Sequence, residues 1–393
     1  MTDTAVILVG GYGSRLGKIT KKIPKPLIRI QNKKFLEWII INLSKYNIKK
    51  IYLLCSYKKN LFFKFFHNKN FYNLNIQCID EGSPKGTGGA LLKVKNRIKK
   101  NFLLLNGDTY FDINLNKIFN LKNKIGNIAL VQNKNHKYNK KLSKINIKKN
   151  SLIFFSKKKS NIMNAGIYYF SKKIFRYLNK KSSLEDEVIP KLVKEKKLIG
   201  SVFYDNFIDI GTPKNLERSK NLNFFKHKAI FLDRDGVINK EIKNSYVLNK
   251  NQFTFNTGAK KAISYLNKKK YLIIIVTNQA CIGKKLITEI ELQKIHDYMK
   301  QQIFRFSGGY INDIFYAPYY KYSKEKKYRL NYNLRKPNDG MFKLAKKKWN
   351  IELSQSIMIG NQVTDQIASK KAKIKYFMYK GRNLFNFIKK IIK

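Results

Sequence analysis

Residues 8–27, LVGGYGSRLGKITKKIPKPL, constrain this chain most. Two apolar residues end a strand, a glycine-rich turn follows, and then come an arginine and a lysine held between prolines. Gly10, Gly11 and Gly13 carry no Cβ, so backbone N–H groups in such a turn approach phosphate without a clash. Arg15 and Lys25 supply the positive charge that a triphosphate requires. A dinucleotide-binding turn is the competing reading. It fails on spacing, because the third glycine of such a turn would fall on Leu16 and no acidic residue closes a short βαβ unit. A second phosphate signature, FLDRDGVINK, begins at Phe231. Two phosphate chemistries on one chain point to a bifunctional enzyme.

The chain has 393 residues, more than one hydrophobic core usually supports. Hydrophobic residues make up 43% and aromatic residues 13%, so burial is not limiting. Cys55, Cys78 and Cys281 are scattered and odd in number, which argues against a disulfide scaffold and for a reducing compartment. No basic, then apolar, leader precedes the first strand, and the longest apolar run, residues 271–276, is too short to cross a bilayer. The expectation is a cytoplasmic protein with no membrane partner. The formal net charge of +58 raises the possibility of nucleic-acid binding. Lysine is spread evenly, however, among abundant Asn, Ile, Phe and Tyr, as an A+T-rich genome encodes. No nucleic-acid recognition pattern accompanies it, so it reads as a solvated surface with weak, salt-sensitive polyanion binding and no specific nucleic-acid partner.

Short apolar runs alternate with helical patterns. Strands are expected at residues 5–9, 51–55, 76–79, 102–105 and 128–132, with helices at 34–46 and 88–98 and later strands at 164–170 and 199–210. Residues 217–228 read as a helix end plus linker. The alternation then restarts with a strand at 229–232, a helix at 258–267, strands at 271–277 and 356–359 and a helix at 288–306. This predicts two α/β domains, 1–224 and 225–393, each a doubly wound, mostly parallel Rossmann-like sheet. Residues 319–329 form a basic insert.

In the first domain, Asp108 follows the apolar run 102–105, at the carboxyl edge of a parallel sheet where ligands bind. Asp209 sits in FIDIGTP at the end of another strand. Two carboxylates beside a triphosphate suit Mg²⁺, which takes hard oxygen ligands bridging to phosphate. The segments VGGYGSRLGKITKKIPKPL, GSPKGTGGAL, LLNGDTYFDINL, NAGIYYF, SLEDEVIP and FIDIGTP occur in an order that resembles the sugar-1-phosphate nucleotidylyltransferases, in particular the heptose 1-phosphate guanylyltransferase group. The resemblance implies that Gly10, Gly11, Arg15 and Lys25 hold nucleotide phosphates. It implies that Gly86, Gly88 and Gly89 approach base or sugar, that Asn164 touches the sugar, and that Asp108 and Asp209 bind Mg²⁺. The reaction it implies is in-line attack of a sugar 1-phosphate on the α-phosphorus, GTP being the favoured nucleotide. One position departs: where such enzymes carry a sugar-binding glutamate, this chain has Lys157.

In the second domain, Asp233 and Asp235 lie two apart after the apolar run 229–232, a spacing that lets one act as nucleophile and the other as acid and base. The Thr277 hydroxyl, at the end of the next apolar run, suits a phosphoryl oxygen, and Lys336 can neutralise developing charge. The run 359–365, IGNQVTD, closes a metal site with Asn361 and Asp365. DRDGVIN, VTNQACIGK and RKPNDGM resemble the haloacid-dehalogenase-like phosphatases, closest to the heptose 1,7-bisphosphate phosphatases. The resemblance implies an aspartyl-phosphate on Asp233, Asp235 as general acid then base, phosphate held by Thr277, Asn278 and Lys336, and substrate contacted by Arg335. It implies Mg²⁺ on Asp233, Asp235 and the last motif. That motif usually reads Gly-Asp; here it is Gly360-Asn361, and Asp365 either compensates or only holds the loop. The zinc loop of such phosphatases is replaced by Ala317-Pro318-Tyr319 and Tyr332-Asn333-Leu334, so no zinc and a mobile basic insert are expected.

The small-molecule substrates expected are a nucleoside triphosphate and sugar phosphates. A competing hypothesis makes the phosphatase half a weakened structural or regulatory module. The base, the sugar, its anomer and any homo-oligomeric state stay open. His67, His136, His227 and His296 have no partner pattern and read as surface residues; Cys281 reads as packing and Asp112 as a turn cap.

Overall fold

The computed structural model describes residues 2–46, 48–132, 143–148, 151–221, 225–330 and 332–392; His136 lies outside them. The chain divides into two compact units, Met1–Phe224 and Phe225–Lys393.

Runs such as Ala5-Val6-Ile7 and Ile51 to Cys55 are apolar on both faces, and a strand with both faces apolar must be covered on both sides. In the first unit they build an eight-stranded sheet. The strand Thr4–Leu8 pairs in parallel with Lys50–Cys55 on one side and Phe102–Asn106 on the other. Ile162–Phe170 then runs antiparallel to both Phe102–Asn106 and Gly126–Gln132, so the sheet is mixed at that side and not parallel throughout. The helix Phe35–Ser44 buries Leu36, Trp38, Ile39, Ile40 and Ile41. The stretch expected as one helix at 88–98 is instead a short helix, Gly86–Leu91, and a 3₁₀ turn, Leu92–Val94.

One correction positions the site. The single strand expected at 199–210 is two strands, Leu198–Phe203 and Phe207–Asp209. The first joins the large sheet, whereas the second pairs antiparallel with Thr109–Phe111, with Asp209 opposite Thr109. Ile210 N donates to Asp108 O at 3.0 Å. The break after Phe203 therefore carries Asp209 out of the main sheet and beside Asp108.

The second unit is a five-stranded, all-parallel sheet. In order across the sheet come Asp313–Ala317, Leu272–Asn278, Ala229–Leu232, Ile357–Gly360 and Lys375–Met378. Strand order reverses between Ala229–Leu232 and Ile357–Gly360, which opens a crevice at their carboxyl ends. The helix Glu289–Ser307 starts at Thr288, whose side chain accepts from Glu291 N while Glu291 caps the Thr288 N–H. Leu292, Ile295, Met299 and Ile303 from this helix pack with Ile263 and Leu266 of Ala259–Lys268 and with Ile273 and Ile275 of the sheet.

The insert is tied down, contrary to the sequence reading. Tyr320 N donates to Tyr328 O at 3.0 Å, Tyr328 is buried, and its hydroxyl donates to Glu289 at 2.8 Å. A buried aromatic side chain thus anchors the insert to the helix Glu289–Ser307. Among the described residues no helix is long and apolar enough to cross a membrane.

Candidate active sites

In the first unit, the glycine turn leaves the carboxyl end of Thr4–Leu8 beside the end of Phe102–Asn106, where strand order reverses. Lys25 Nζ lies 3.0 Å from Asp108 Oδ2. The Lys25 stem lies over Gly13, whose φ is +70° and whose Cβ would meet Lys25 Cε at 2.7 Å. Any side chain at Gly13 would push the lysine away from Asp108. Asp209 Oδ1 accepts from Gly211 N at 2.6 Å. Burial raises the Asp209 carboxyl above its usual range, and the Asp108 charge raises it further against Lys25 and Arg15. Arg15, Lys25, Asp108 and Asp209 are thus brought together. A pair of carboxylates that repel each other across an anion-accepting turn is the donor set that fits a divalent cation.

The glycines of this unit divide into two groups. Nothing lies within 4 Å of a Cβ built on Gly11, so that position opens to space. A Cβ on Gly86 would meet Ser182 O at 2.4 Å, one on Gly88 would meet Ser182 Oγ at 2.4 Å, and one on Gly89 would meet Lys180 O at 2.5 Å. These three glycines allow close packing against Lys180 and Ser182. Asn164 Nδ2 donates to the Tyr168 hydroxyl at 2.8 Å, Tyr168 donates to Glu185, and Thr87 Oγ1 donates to Glu185 Oε2 at 2.7 Å. Lys157 is exposed.

Two acids in this unit escaped the sequence reading. Glu185 ties Tyr168 to Thr87, and only the SLEDEVIP segment hinted at it. Glu81 follows the strand Leu74–Asp80 and is 7% exposed. Its Oε1 lies 2.8 Å from where a Gly10 Cβ would be. Burial, then the Asp80 charge, pushes its carboxyl up to about 7. Asp112 pairs with Lys45 Nζ at 3.0 Å.

In the second unit, Asp233 follows Ala229–Leu232 and lines a cavity of about 140 Å³ with Asp235, Glu241, Thr277, Lys336 and Gln362. Lys336 Nζ lies 2.9 Å from Asp233 Oδ1 and 2.5 Å from Asp365 Oδ1, and donates to Val276 O at 2.9 Å. Burial raises Asp233, with Asp365 and Asp235 adding to it and Lys336 opposing. Burial alone would lower Lys336, but Asp233 and Asp365 outweigh it. With two carboxylates around one ammonium, the proton stays on the lysine.

Three of the residues singled out from sequence are held by neighbours here. Asp365 is fully buried; one oxygen pairs with Lys336 and the other accepts from Gln362 N at 3.1 Å, so it holds the lysine and starts the helix Val363–Lys371. Asn278 spends its side chain on the Lys336 backbone, with Nδ2 donating to Lys336 O and Oδ1 accepting from Lys336 N, both at 3.0 Å. It positions the lysine and lines the same cavity, with one amide hydrogen not used by Lys336. Arg335 donates to Tyr319 O at 3.2 Å and does not line the cavity. Thr277 is buried, with Oγ1 accepting from Gln279 Nε2 at 2.9 Å. Cys281 is a free, buried thiol pushed up to about 11 by burial.

Asp235 sits in a cage that sequence spacing did not reveal. Both its oxygens accept from Arg234 Nη2 at 2.9 Å, and Asn239 and Gln279 donate at 2.9 and 2.8 Å. Burial would raise this carboxyl; Arg234 and the hydrogen bonds overcome it and hold it below its usual value. Asn361 Oδ1 is buried without a hydrogen-bond partner among the described residues, an acceptor suited to a cation.

His296 and His227 are buried, not surface residues as read from sequence. His67 accepts from Cys78 N at 3.2 Å. His296 Nε2 lies 3.3 Å from Arg234 Nη1, which only a neutral ring can accept. Burial, with Arg234 next, pushes the ring down to about 3. Between its ordinary 6.5 and that value the unfolded chain binds the extra proton, so stability falls as pH falls through this window. At pH 5 the loss amounts to about 2 kcal/mol relative to pH 7. His296→Gln, which keeps an acceptor and cannot titrate, should remove that part of the acid sensitivity; urea unfolding of both proteins at pH 7 and pH 5 measures the difference, and an equal loss of stability in the two proteins would refute the neutral-ring assignment.

Residues 4–223 match the nucleotidyl transferase family and residues 228–378 match the polynucleotide kinase 3 phosphatase family. The D-glycero-alpha-D-manno-heptose 1-phosphate guanylyltransferase of Campylobacter jejuni is 37% identical over 217 residues, 54% of this chain and 96% of that one. The D-glycero-beta-D-manno-heptose-1,7-bisphosphate 7-phosphatase of Haemophilus ducreyi is 36% identical over 148 residues, 38% of this chain and 80% of that one. The crystal structure of HddC from Yersinia pseudotuberculosis is 29% identical, covers 56% of this chain and 98% of its own, and has a TM-score of 0.48. The chain therefore belongs to the nucleotidyl transferase family through its first unit and joins to it, in its second, a haloacid-dehalogenase-like phosphatase.

Proposed function

We propose that the chain catalyses two consecutive steps: removal of the 7-phosphate from a heptose 1,7-bisphosphate, and transfer of a nucleotidyl group, from GTP by preference, to the heptose 1-phosphate so formed. The observation that carries this reading is the pairing of relatives. One is named for a heptose 1,7-bisphosphate and the other for a heptose 1-phosphate, and the 7-phosphatase product is the substrate class of the guanylyltransferase.

Asp108 and Asp209 in the first unit, and Asp233, the Asp235 backbone and Asn361 in the second, are the residues that would hold Mg²⁺. When bound, Mg²⁺ neutralises charge on phosphate oxygens at either site. In the first unit, Arg15, Lys25 and the N–H groups at Gly10 and Gly11 hold the triphosphate. The sugar 1-phosphate oxygen attacks the α-phosphorus in line, and pyrophosphate leaves. No covalent intermediate is needed, so catalysis is positioning and charge stabilisation. In the second unit, Asp233 attacks the 7-phosphorus and forms an aspartyl-phosphate, while Thr277 and Lys336 hold the phosphoryl oxygens. Asp235 protonates the departing sugar oxygen, then takes a proton from the hydrolytic water. The first of these roles needs a protonated Asp235, so it requires substrate to loosen the Arg234 cage; the second suits the carboxylate as it stands. The three cysteines, unpaired and buried, fit a reducing cytoplasm.

The two relatives name opposite anomers, alpha for the transferase and beta for the phosphatase. The transferase bonds the anomeric phosphate directly, so its preference must decide the outcome; the phosphatase works at the far end of the sugar. Supplying α- or β-heptose 1,7-bisphosphate with GTP or ATP tests this. The expected result is phosphate, pyrophosphate and nucleotide-heptose in equal amounts from the α-anomer with GTP. A β-anomer product with ATP would correct the stereochemistry and the base. If neither anomer yields a nucleotide-heptose while another hexose 1-phosphate does, the heptose reading fails and Lys157 is the position to examine.

A further inference from the structure

The amide at position 361 raises a question of charge. Asp365 is spent on Lys336 and on the start of its helix, so it does not make up for the carboxylate that Asn361 lacks. Another acid does reach this point. Asn361 Nδ2 donates to Glu241 Oε2 at 2.9 Å, and Gln362 Nε2 lies 3.3 and 3.4 Å from the two Glu241 oxygens. Glu241 lies 120 residues away in the chain and lines the same cavity as Asp233 and Asp235.

The contact settles which way the amide points. A carboxylate only accepts, so it binds the nitrogen end and repels the oxygen end. Asn361 Oδ1 is therefore turned away from Glu241, where it is buried and has no hydrogen-bond partner among the described residues. Gly236 packs against the carboxamide, nearest its nitrogen: a Cβ there would lie 2.1 Å from Asn361 Nδ2 and 2.9 Å from Oδ1. The carboxamide is thus held at its nitrogen end by a carboxylate and by close-packed backbone, which leaves the oxygen as the bare acceptor.

We propose that Glu241 is a positioning residue of the phosphatase site, which orients the Asn361 carboxamide toward a divalent cation and supplies, one residue further out, the negative charge that an aspartate at 361 would carry. The proposal rests on the phosphatase reading above. The physical logic is that of an outer carboxylate that fixes a ligand and makes it a better donor. Charge and orientation are separable by substitution. Glu241→Gln keeps an acceptor oxygen and loses the charge; Glu241→Ala loses both. Asn361→Asp alone sets two carboxylates about 3 Å apart, where like charges oppose each other's ionisation. Asn361→Asp combined with Glu241→Gln exchanges acid and amide and keeps one hydrogen bond and one charge.

The test is calorimetric titration of Mg²⁺ into the full chain, with Asp108→Asn in every sample to weaken the first unit's site. Glu241→Ala should weaken Mg²⁺ binding by about tenfold or more, and Glu241→Gln by less, as expected for outer-shell partners. Asn361→Asp alone should fall short of the Asn361→Asp/Glu241→Gln pair, which binds at least as tightly as the parent; a purely structural Glu241 would not give this rescue. Glu241 is exposed, so its single variants should keep the parent's thermal midpoint. Unchanged Mg²⁺ binding in Glu241→Ala, with weakened binding in Asp233→Asn, overturns the role of Glu241 and leaves the phosphatase reading standing. Unchanged binding in Asp233→Asn as well overturns both.

Discussion

Asp233→Asn should abolish phosphate release from the sugar bisphosphate and leave pyrophosphate release at the parent rate. Asp233 sits where the strand Ala229–Leu232 ends, and Lys336 holds its Oδ1 at 2.9 Å. An amide in its place offers no nucleophilic oxygen at this pH. Loss of a nucleophile commonly costs on the order of 10⁴-fold or more. The fold should not suffer. Burial already raises the Asp233 carboxyl, so the ionised form is held at a cost that the amide avoids. Lys336 keeps Asp365 as its counter-charge. The thermal midpoint should therefore match or exceed that of the parent. Residual phosphate release within tenfold of the parent would remove Asp233 from the nucleophile role. Absence of turnover in the unmodified chain at any Mg²⁺ level would favour a regulatory phosphatase module instead.

The mirror experiment is Asp108→Asn, which should lower pyrophosphate release by on the order of a hundredfold or more and spare phosphate release. The substitution removes one of the two carboxylates that meet at the carboxyl edge of the first sheet. It also breaks the ion pair with Lys25, which is partly exposed and contributes little to stability. The Asp108 charge helps raise Asp209, so the remaining carboxyl should move back toward its usual range. Near-normal pyrophosphate release in this variant would show that Asp108 does not hold the cation that the reacting phosphates need. Because the two substitutions lie in different compact units, the double variant should show the product of the single effects.

The parts of each site that lie on one short segment were legible in the sequence. A glycine turn after an apolar run, an aspartate just past a strand end and a pair of aspartates two residues apart depend on local geometry, which the residues themselves dictate. The two α/β units were legible for the same reason, since alternating apolar runs and helical periods are local patterns. The sheet of the first unit was harder: nothing local says that Ile162–Phe170 runs antiparallel to its neighbours. Charges that meet across the fold were not legible at all. Only the break between Phe203 and Phe207 carries Asp209 beside Asp108. Only the packing of Glu289–Ser307 on the sheet puts His296 against Arg234 and turns an apparent surface histidine into a buried neutral one. Asp365 read as a cation ligand because it follows Asn361 closely, yet the loop carrying Lys336 comes from elsewhere and claims it. Sequence by itself thus determined which chemical groups stand at the strand ends, because those placements need only neighbouring residues. Tertiary structure decided which of those groups remain free, because each partner that occupies one arrives from a distant segment through packing.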